Sequence, residues 1–336
     1  MINIGLIGTG TIGKQHLERL HKDIYTNIAK VIGVYSPNSG PFVAKQFGIK
    51  AYSSSEELIS SDEINAVIIC SADEFHYEQV KLCLKYNKPV LCEKPLSQSL
   101  DESLDLIKIE QELGKRLISL GFMRRFDPYY IQLKKSIQNK KFGEMLLIHC
   151  KHRTTFPPPN SNPSTNAHVS LVHEFDILRW MTNEEFKSVK VYVPNKSAKA
   201  GEKLQDPQFF ILKSSTDRLY TIESFLSAGY GYDVQCEIVA EEGTYSMPNQ
   251  VDLLLSTNLN IGHKLPYDWN ERFSQAYDDE IRTWILSLYT SNKTDLANAW
   301  DGYLTTYIAS KCDESRESGK EVVLNIPSTP QFYLKR

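Results

Sequence analysis

A glycine-rich turn lies within the first fifteen residues of the chain. Gly8, Gly10 and Gly13 follow the apolar run of residues 3–7 and precede a helical pattern. In such a strand–turn–helix unit the first glycine permits a tight turn, the second lets a pyrophosphate approach the backbone, and the third lets the helix pack closely on the strand. The helix N-terminus then attracts the phosphates. The turn predicts a dinucleotide site built from Gly8, Gly10, Thr11, Ile12 and Gly13.

Strand and helix patterns alternate over the first 120 residues or so. The predicted strands cover residues 3–7, 30–35, 66–71, 90–92 and 116–120. The predicted helices cover residues 12–20, 41–47, 76–86 and 100–113. This alternation favours a parallel sheet with helices on both faces. We therefore expect a doubly wound α/β domain of the Rossmann type over residues 1–121.

Strand patterns lie closer together in the rest of the chain. After a helix at 128–138, strands are predicted at 144–153, 188–193, 208–213, 219–225 and 233–241, with a helix following Trp300. Closely spaced strands favour a largely antiparallel sheet with one face covered by helices and one face open. We expect an α+β domain over residues 122–336, whose open face suits oligomer contacts. Residues 156–166, with four prolines and three asparagines, are predicted to form a loop at the mouth of a site.

Composition excludes several classes of partner. A formal charge of -3 and a pI near 6.3 give no support for binding nucleic acid or an anionic membrane surface. No apolar run approaches the roughly 20 residues that span a bilayer, and the N-terminus has no signal-peptide pattern. We expect a cytoplasmic protein that binds a small molecule. Six cysteines without a Cys-x-x-Cys pair indicate reduced, mostly buried thiols rather than a metal site.

The end of the second predicted strand bears on the choice of dinucleotide. An acidic residue there would bind the ribose 2′-hydroxyl of NAD. This chain has Ser36, followed by Pro37 and Asn38. Ser36 can bind a ribose hydroxyl, but it neither repels a 2′-phosphate nor attracts one. The sequence leaves both NAD and NADP open, with a slight preference for NAD.

A lysine follows the fourth predicted strand, in the sequence Cys92-Glu93-Lys94-Pro95. Ligands of open parallel sheets bind at the carboxyl ends of the strands. Oxidation of an alcohol needs a group that accepts the hydroxyl proton or polarises the oxygen, and a lysine can do either. Lys94 is therefore a candidate catalytic residue.

Glu-Lys-Pro after a Gly-x-Gly-x-x-Gly domain resembles the glucose-fructose oxidoreductase, inositol dehydrogenase and MocA (Gfo/Idh/MocA) family. The resemblance covers nearly the whole chain. Segments that match the family are residues 71–76, 121–127 and 171–176. Segments similar to its myo-inositol 2-dehydrogenase branch are residues 230–237, 268–273 and 300–303.

The resemblance implies an NAD(P)-dependent oxidoreductase that transfers hydride between the nicotinamide and a secondary hydroxyl of a cyclic polyol held between the domains. It implies that Lys94 contacts the reacting hydroxyl and that His173 is the general acid or base. Substrate-binding residues would be Arg125, Asp176, Tyr232, His152 and Thr154. Further cofactor-binding residues would be Ser71, His76, Glu93 and Lys94. A homodimer or homotetramer is implied, and no metal.

The chain departs from the inositol dehydrogenase pattern at three places. Val169 stands where that branch has an aspartate four residues before the histidine, and an apolar side chain cannot orient an imidazole. Lys151 and Thr154 replace a smaller residue and an asparagine, and Ser36 is the third departure. Two alternatives therefore stay open: a dehydrogenase or reductase of another sugar, and a non-catalytic dinucleotide-binding regulator.

Overall fold

The computed structural model describes residues 1–22, 25, 27–248, 254–290 and 294–334. The chain divides into two compact units. Unit 1 consists of Met1–Phe122, Asp278–Thr306 and Ser328–Arg336, and unit 2 consists of Met123–Tyr277 and Tyr307–Pro327. The first boundary lies one residue beyond the one expected from the sequence. Two later segments, expected in the second domain, cluster with the first unit.

The strands of unit 1 are β1 (Ile2–Ile7), β2 (Ala29–Tyr35), β3 (Lys50–Ala51), β4 (Ala66–Ile69), β5 (Val90–Glu93) and β6 (Ile118–Gly121). Its N-terminal helices are α1 (Thr11–Leu20), α2 (Gly40–Phe47), α3 (Ser55–Ser60), α4 (His76–Lys85) and α5 (Leu100–Leu113). The strands pair in parallel, in the order β3-β2-β1-β4-β5-β6. This order confirms the predicted doubly wound Rossmann sheet. The short elements β3 and α3 were not predicted.

Unit 1 also contains segments that are distant in sequence. Helix α8 (Trp269–Ser287) supplies Ile281, Trp284 and Ile285 to the apolar core that contains Ile4 of β1. Helix α9 (Ala299–Ser318) begins in unit 1, and the short helix α10 (Gln331–Leu334) belongs to it as well. The core of the parallel sheet is therefore completed by residues far beyond 122.

The C-terminal helix of unit 1 is fixed to α5. The Tyr333 hydroxyl donates to Glu110 Oε2 at 2.6 Å, while Glu110 Oε1 accepts from the backbone N–H groups of Leu117 and Ile118 at 2.7 and 2.8 Å. Burial raises the pKa of Glu110 despite these hydrogen bonds. One buried carboxyl group thus joins α5, the start of β6 and α10.

Unit 2 begins with a 3₁₀ turn at Met123–Phe126 and contains a seven-stranded sheet. The strands of this sheet are β7 (Met145–Arg153), β8 (Phe186–Tyr192), β9 (Gln208–Ser214), β10 (Leu219–Phe225), β11 (Asp233–Ala240), β12 (Thr244–Ser246) and β15 (Val322–Val323). Strands β13 (Leu254–Thr257) and β14 (Asn260–His263) form a separate hairpin. The helices are α6 (Pro128–Asn139) and α7 (Val172–Thr182), with a π-helix at Asn166–Ser170.

The large sheet has the order β12-β11-β7-β10-β9-β8-β15. Strands β7 and β10 pair in parallel and the other neighbours pair antiparallel, which confirms the predicted largely antiparallel sheet. Side chains alternate along β7, since Ile148, Cys150 and His152 are buried while His149 and Lys151 are exposed. One face of the sheet is therefore packed and the opposite face is open.

Three further predictions bear on the chain as a whole. All six cysteines are buried free thiols, as expected. Residues 156–164 are irregular, but Asn166, assigned to the same loop from the sequence, begins the π-helix. No helix in the described part of the chain is long and apolar enough to span a membrane.

Candidate functional site

The glycine turn between β1 and α1 has the backbone that a dinucleotide requires. Gly8 has a φ of +88°, and a Cβ there would lie 2.4 Å from the Cys70 carbonyl. A Cβ at Gly13 would lie 1.9 Å from the Gly8 oxygen. Any side chain at either position would force the turn open. These two glycines are therefore dictated by steric constraints within unit 1.

Gly10 is constrained differently. Apart from the adjoining residues of the turn and helix, no described atom lies within 4 Å of the position that a Cβ at Gly10 would take. Helix α1 starts directly after Gly10 without a side-chain cap from the described residues, so its first N–H groups are left for a ligand or water. Thr11 is exposed and Ile12 is half-buried at the start of the helix. An open space in front of uncapped N–H groups fits a pyrophosphate.

The turn after β2 presents hydroxyl groups. Ser36 Oγ lies 3.3 Å from Ser39 Oγ, which lies 2.6 Å from Thr9 Oγ1. Residues 35–41 contain no charged side chain. This hydroxyl chain can bind ribose hydroxyls, but it supplies neither a carboxylate to repel a 2′-phosphate nor a cation to attract one.

The Glu-Lys-Pro turn follows β5, at the carboxyl edge of the parallel sheet. Glu93 Oε1 lies 2.9 Å from Nε2 of His16 on α1. His76 is fully buried, with Nδ1 2.7 Å from the Pro95 oxygen and Nε2 3.2 Å from the Ser71 oxygen. Lys94 is half-buried. Because both ring nitrogens of His76 face backbone oxygens, its part in cofactor binding would be indirect.

Helix α7 carries the candidate acid–base residue of unit 2. His173 is 9% exposed, and Asp176 lies three residues further along the same helix. Asp176 binds Arg125 of the 3₁₀ turn through two hydrogen bonds, of which Nε to Oδ2 is 2.8 Å long. Both side chains are buried. The structure thus brings the predicted residues Arg125 and Asp176 together, as an ion pair.

A second buried ion pair lies beside the first. Arg124 donates to Glu174 Oε1, and the same carboxylate oxygen lies 2.8 Å from His152 Nδ1. Burial alone would raise the pKa of Glu174, but the Arg124 guanidinium and His152 lower it to about 2. Glu174 is therefore a carboxylate, and since a carboxylate only accepts, Nδ1 of His152 carries the donated proton.

Two further predicted residues flank the sheet of unit 2, Tyr232 directly before β11 and Thr154 directly after β7. The Tyr232 ring centroid is 6.2 Å from that of His152, and burial raises the pKa of Tyr232 to about 12, so its hydroxyl stays protonated near neutral pH. Thr154 donates its hydroxyl to the Leu226 carbonyl at 2.6 Å. Tyr232 and His152 thus share a buried polar region, whereas the Thr154 hydroxyl hydrogen is already used.

Position 169, where the inositol dehydrogenase pattern has an aspartate and this chain has valine, lies in the π-helix. Val169 is half-buried, and its neighbour His168 places Nε2 3.0 Å from Asp313 Oδ2 in the second half of α9. The imidazole of His168 is therefore directed towards α9. Nothing in this pairing substitutes for an acid at position 169.

Arg124 and Glu174 were not among the residues predicted from the sequence. Part of their signal was present, because each is a charged residue in a segment that matches the family, Arg124 in residues 121–127 and Glu174 in residues 171–176. Such a residue is buried only when it is paired. The two lie 50 residues apart in the chain, so the sequence alone did not identify the partner.

Comparison with known proteins places these features in a family. The family model described as "Oxidoreductase family, NAD-binding Rossmann fold" matches residues 2–122. The companion model, "Oxidoreductase family, C-terminal alpha/beta domain", matches residues 134–324. Together they span both units.

Relatives match over the full length. The chain is 35% identical over 336 residues to an inositol 2-dehydrogenase/D-chiro-inositol 3-dehydrogenase of Shouchella clausii, covering 99% of this chain and 96% of the relative. It is 33% identical to an inositol 2-dehydrogenase of Serratia proteamaculans, covering 99% of both.

A solved structure is also similar throughout. The myo-inositol dehydrogenase of Lactobacillus casei, crystallised with NAD(H) and myo-inositol, superposes with a TM-score of 0.94 at 28% identity and covers 99% of both chains. The glycine turn, the Glu-Lys-Pro turn and the full-length matches agree, and the chain belongs to the Gfo/Idh/MocA family of oxidoreductases.

Proposed function

We propose that this protein is a dehydrogenase that uses a pyridine nucleotide to oxidise a secondary hydroxyl of a cyclic polyol of the inositol type. The observation that carries the proposal is the glycine turn with open space before uncapped N–H groups, in a chain that also has Lys94 at the carboxyl edge of the sheet. When bound, the nicotinamide would supply the acceptor for the hydride.

Unit 1 would supply the cofactor site and the lysine. The backbone at Gly8, Gly10 and Gly13 and the first turn of α1, at Thr11 and Ile12, would hold the pyrophosphate. Lys94 would hydrogen-bond the reacting hydroxyl through Nζ and take part in moving its proton. His76 would act through the Pro95 and Ser71 backbone oxygens that it faces, and Glu93 through its carboxylate. Ser71, whose hydroxyl donates to Gln79 at 2.7 Å, would act through its backbone.

Unit 2 would supply the polyol contacts and the second proton-transfer group. His173 would exchange the hydroxyl proton with its imidazole. Since Nδ1 of His152 carries the proton that is donated to Glu174, Nε2 of the neutral imidazole is the atom able to accept from a substrate hydroxyl. Tyr232 would donate a hydrogen bond from its hydroxyl to the polyol.

The remaining predicted contacts of unit 2 are already engaged in the fold. The Arg125–Asp176 pair would fix the face of α7 that carries His173, and it would offer its outer polar atoms to the substrate. Thr154, whose proton is donated to Leu226, would be limited to accepting a hydrogen bond.

We further propose that NAD(H) is the preferred cofactor and that discrimination against NADP(H) is weak. The support is the hydroxyl chain Ser36–Ser39–Thr9 in a turn without charged side chains. A carboxylate at this place would select NAD through the ribose diol. Titration of both nucleotides against the protein, followed by fluorescence, would test this proposal, and a more than hundredfold difference in affinity would reject it.

We also propose a homodimer or homotetramer formed through the open face of the seven-stranded sheet. This face mixes apolar and oppositely charged side chains, since Lys151, Glu223 and Phe209 lie in one row across β7, β10 and β9. Phe209 is 36% exposed. Light scattering would give the mass, and Phe209→Asp should shift it towards the monomer, whereas a monomeric wild type would reject the proposal.

The test of the main proposal is a substrate panel. Purified protein would be supplied with NAD or NADP and with myo-inositol, its stereoisomers, glucose, xylose and galactose, and reduced nucleotide would be followed by absorbance. Turnover of an inositol supports the proposal. Turnover of aldoses but not inositols would reassign the substrate, as the replacements at Val169, Lys151 and Thr154 would allow. Nucleotide binding without turnover of any polyol or sugar would favour a regulator.

Lys94→Ala separates the catalytic proposal from a binding role. It should abolish turnover while nucleotide affinity is retained, because the pyrophosphate contacts lie on the glycine turn. Lys85→Ala is the matched control, since this lysine is exposed at the end of α4 and pairs with Glu56 on the surface. Equal turnover of the two variants would contradict the role of Lys94.

A further inference from the structure

The turn at residues 93–95 is held from two sides by buried histidines of unit 1. His16 on α1 binds the Glu93 side chain, and His76 on α4 binds the Pro95 backbone oxygen. His16 is 1% exposed and His76 is fully buried. We infer that His16 and His76 are positioning residues that fix the backbone on either side of Lys94. The inference rests on the role proposed for Lys94.

The Glu93 carboxylate is packed closely between His16 and Gly121. A buried carboxylate requires donors, and Nε2 of His16 at 2.9 Å is one of them. On its other side the carboxylate packs against Gly121 at the end of β6, where a Cβ would lie 2.8 Å from Oε2. The side chain is thus seated between α1 and β6. Because Lys94 is the next residue, this seat limits where its backbone can lie.

His76 restrains the opposite side of Lys94. Its Nδ1 lies 2.7 Å from the Pro95 oxygen, and its Nε2 lies 3.2 Å from the oxygen of Ser71, directly after β4. A neutral imidazole donates through one ring nitrogen only, and the shorter distance favours the hydrogen bond to the Pro95 oxygen. The backbone is restrained both before and after Lys94, while the Lys94 side chain stays half-exposed.

His16 also connects this turn to the glycine turn. It lies three residues after Gly13, within the first two turns of α1. An α-helix is a stiff element, so its bond to Glu93 sets the distance between the glycine turn and Lys94. A misplacement of about 1 Å at a reacting group can reduce the rate roughly a hundredfold. The structure thus ties the position of the lysine to the helix that would hold the cofactor.

Two amide substitutions test the role of His16. The amide nitrogen of Gln occupies nearly the place of Nε2 and can donate to Glu93, whereas the shorter Asn cannot reach it. His16→Asn should lower kcat roughly ten- to a hundredfold with an unchanged Kd for NAD, and His16→Gln should restore most of kcat. His21→Gln is the control, because His21 directly follows the same helix and its side chain, among the described residues, binds the Leu17 carbonyl at 2.8 Å and packs on Phe47, away from Glu93.

A second readout does not depend on turnover. Limited acetylation of the full-length protein, followed by mass spectrometry, would give the reaction rate of the Lys94 amine relative to that of exposed Lys85. A loosened turn exposes Lys94, so His16→Asn should accelerate its acetylation while His16→Gln and His21→Gln should not.

The outcomes separate the inference from the proposed function. Equal kcat and equal Lys94 acetylation in the Asn and Gln variants would overturn the inference. A wild type without turnover would refute the proposed function, and the acetylation rates would still decide the inference: faster labelling in His16→Asn supports it and equal labelling overturns it. A similar loss of kcat in both amide variants, with equal acetylation, would indicate a merely structural histidine and would also overturn it.

Discussion

The Nδ1 atom of His152 lies 2.8 Å from Oε1 of Glu174, and both side chains are buried. The same oxygen accepts a hydrogen bond from Arg124, so one carboxylate balances a guanidinium and orients an imidazole. The cluster joins three elements of unit 2: the 3₁₀ turn, β7 and α7. Stability and the orientation of His152 therefore depend on the same carboxylate.

Glu174→Gln should be strongly destabilising. The amide leaves the Arg124 charge buried without a counter-charge, and breaking a buried ion pair in this way costs about 3–5 kcal/mol of unfolding free energy. Urea denaturation of the two proteins measures the difference. Asp217→Asn is the control, because Asp217 pairs with Lys187 and Lys213 at the surface and should contribute little. A loss in Asp217→Asn as large as in Glu174→Gln would contradict this account.

The Glu174 carboxylate should also make the free energy of unfolding decrease at acidic pH. The native pKa of Glu174, about 2, lies below its ordinary value of 4.5. A depressed pKa gives stability that is present above pH 4.5 and is lost as the pH falls from 4.5 towards 2. Urea midpoints measured from pH 6 down to pH 3 should therefore decrease, and less so in a Glu174→Gln protein that still folds. Parallel pH curves for the two proteins would contradict the prediction.

Val169→Asp should raise turnover. Position 169 lies in the π-helix that precedes α7, at the place where the inositol dehydrogenase pattern has an aspartate, and a carboxylate that reaches His173 from there would orient and charge-stabilise the imidazole. We expect kcat on the best substrate to rise roughly three- to tenfold, a small part of the range of general acid–base catalysis. Val169→Asn, with similar shape and no charge, should give a smaller gain. Equal or reduced activity in both variants would show that this chain does not use an acid at position 169.

Ser36→Asp should make the protein prefer NAD over NADP. A carboxylate at the end of β2 binds the ribose diol and repels a 2′-phosphate, so the Kd for NADP should rise on the order of a hundredfold relative to that for NAD. Ser36→Asn controls for size without charge. Nucleotide titrations of the three proteins check this, and an unchanged ratio would place the adenosine ribose away from Ser36.

Tyr333→Phe should lower the stability of unit 1 against unfolding. It removes the hydroxyl that donates to the buried Glu110 at 2.6 Å, and leaving a buried polar group without its partner costs about 1–3 kcal/mol. Thermal unfolding would report the loss. Tyr86→Phe is the matched control, because the Tyr86 hydroxyl donates to the carboxylate of Glu56 at the surface. Equal Tm values for Tyr333→Phe and wild type would contradict the contribution of this contact.

The parallel sheet of unit 1 could be predicted because its signal is local. Each strand is a short apolar run, and each of the longer helices contributes a full apolar stripe. Strand β3 has two residues and α3 has six, too few to show a period. Their place in the fold therefore came only from the structure.

Pairings across long sequence distances were not predictable. Nothing in β7 or β10 alone specifies that they pair in parallel within an otherwise antiparallel sheet. The same holds for Arg124 and Glu174, whose partnership depends on how the 3₁₀ turn and α7 pack. The chemical identity of the candidate residues could be predicted from motifs, whereas the ion pairs that engage Arg125 and Asp176 could not.

The ribosome makes the two units in an interleaved order, because unit 1 is formed by the first and the last parts of the chain. Strand β1 leaves the ribosome before the residues that complete its core are made, since the core around Ile4 includes Ile281, Trp284 and Ile285. The hydrogen bond of Glu110 likewise needs Tyr333. The dinucleotide-binding unit can therefore complete its packing only after all of unit 2 up to Pro327 has been made. Until then its nascent sheet exposes the apolar surface that Ile281, Trp284 and Ile285 later cover.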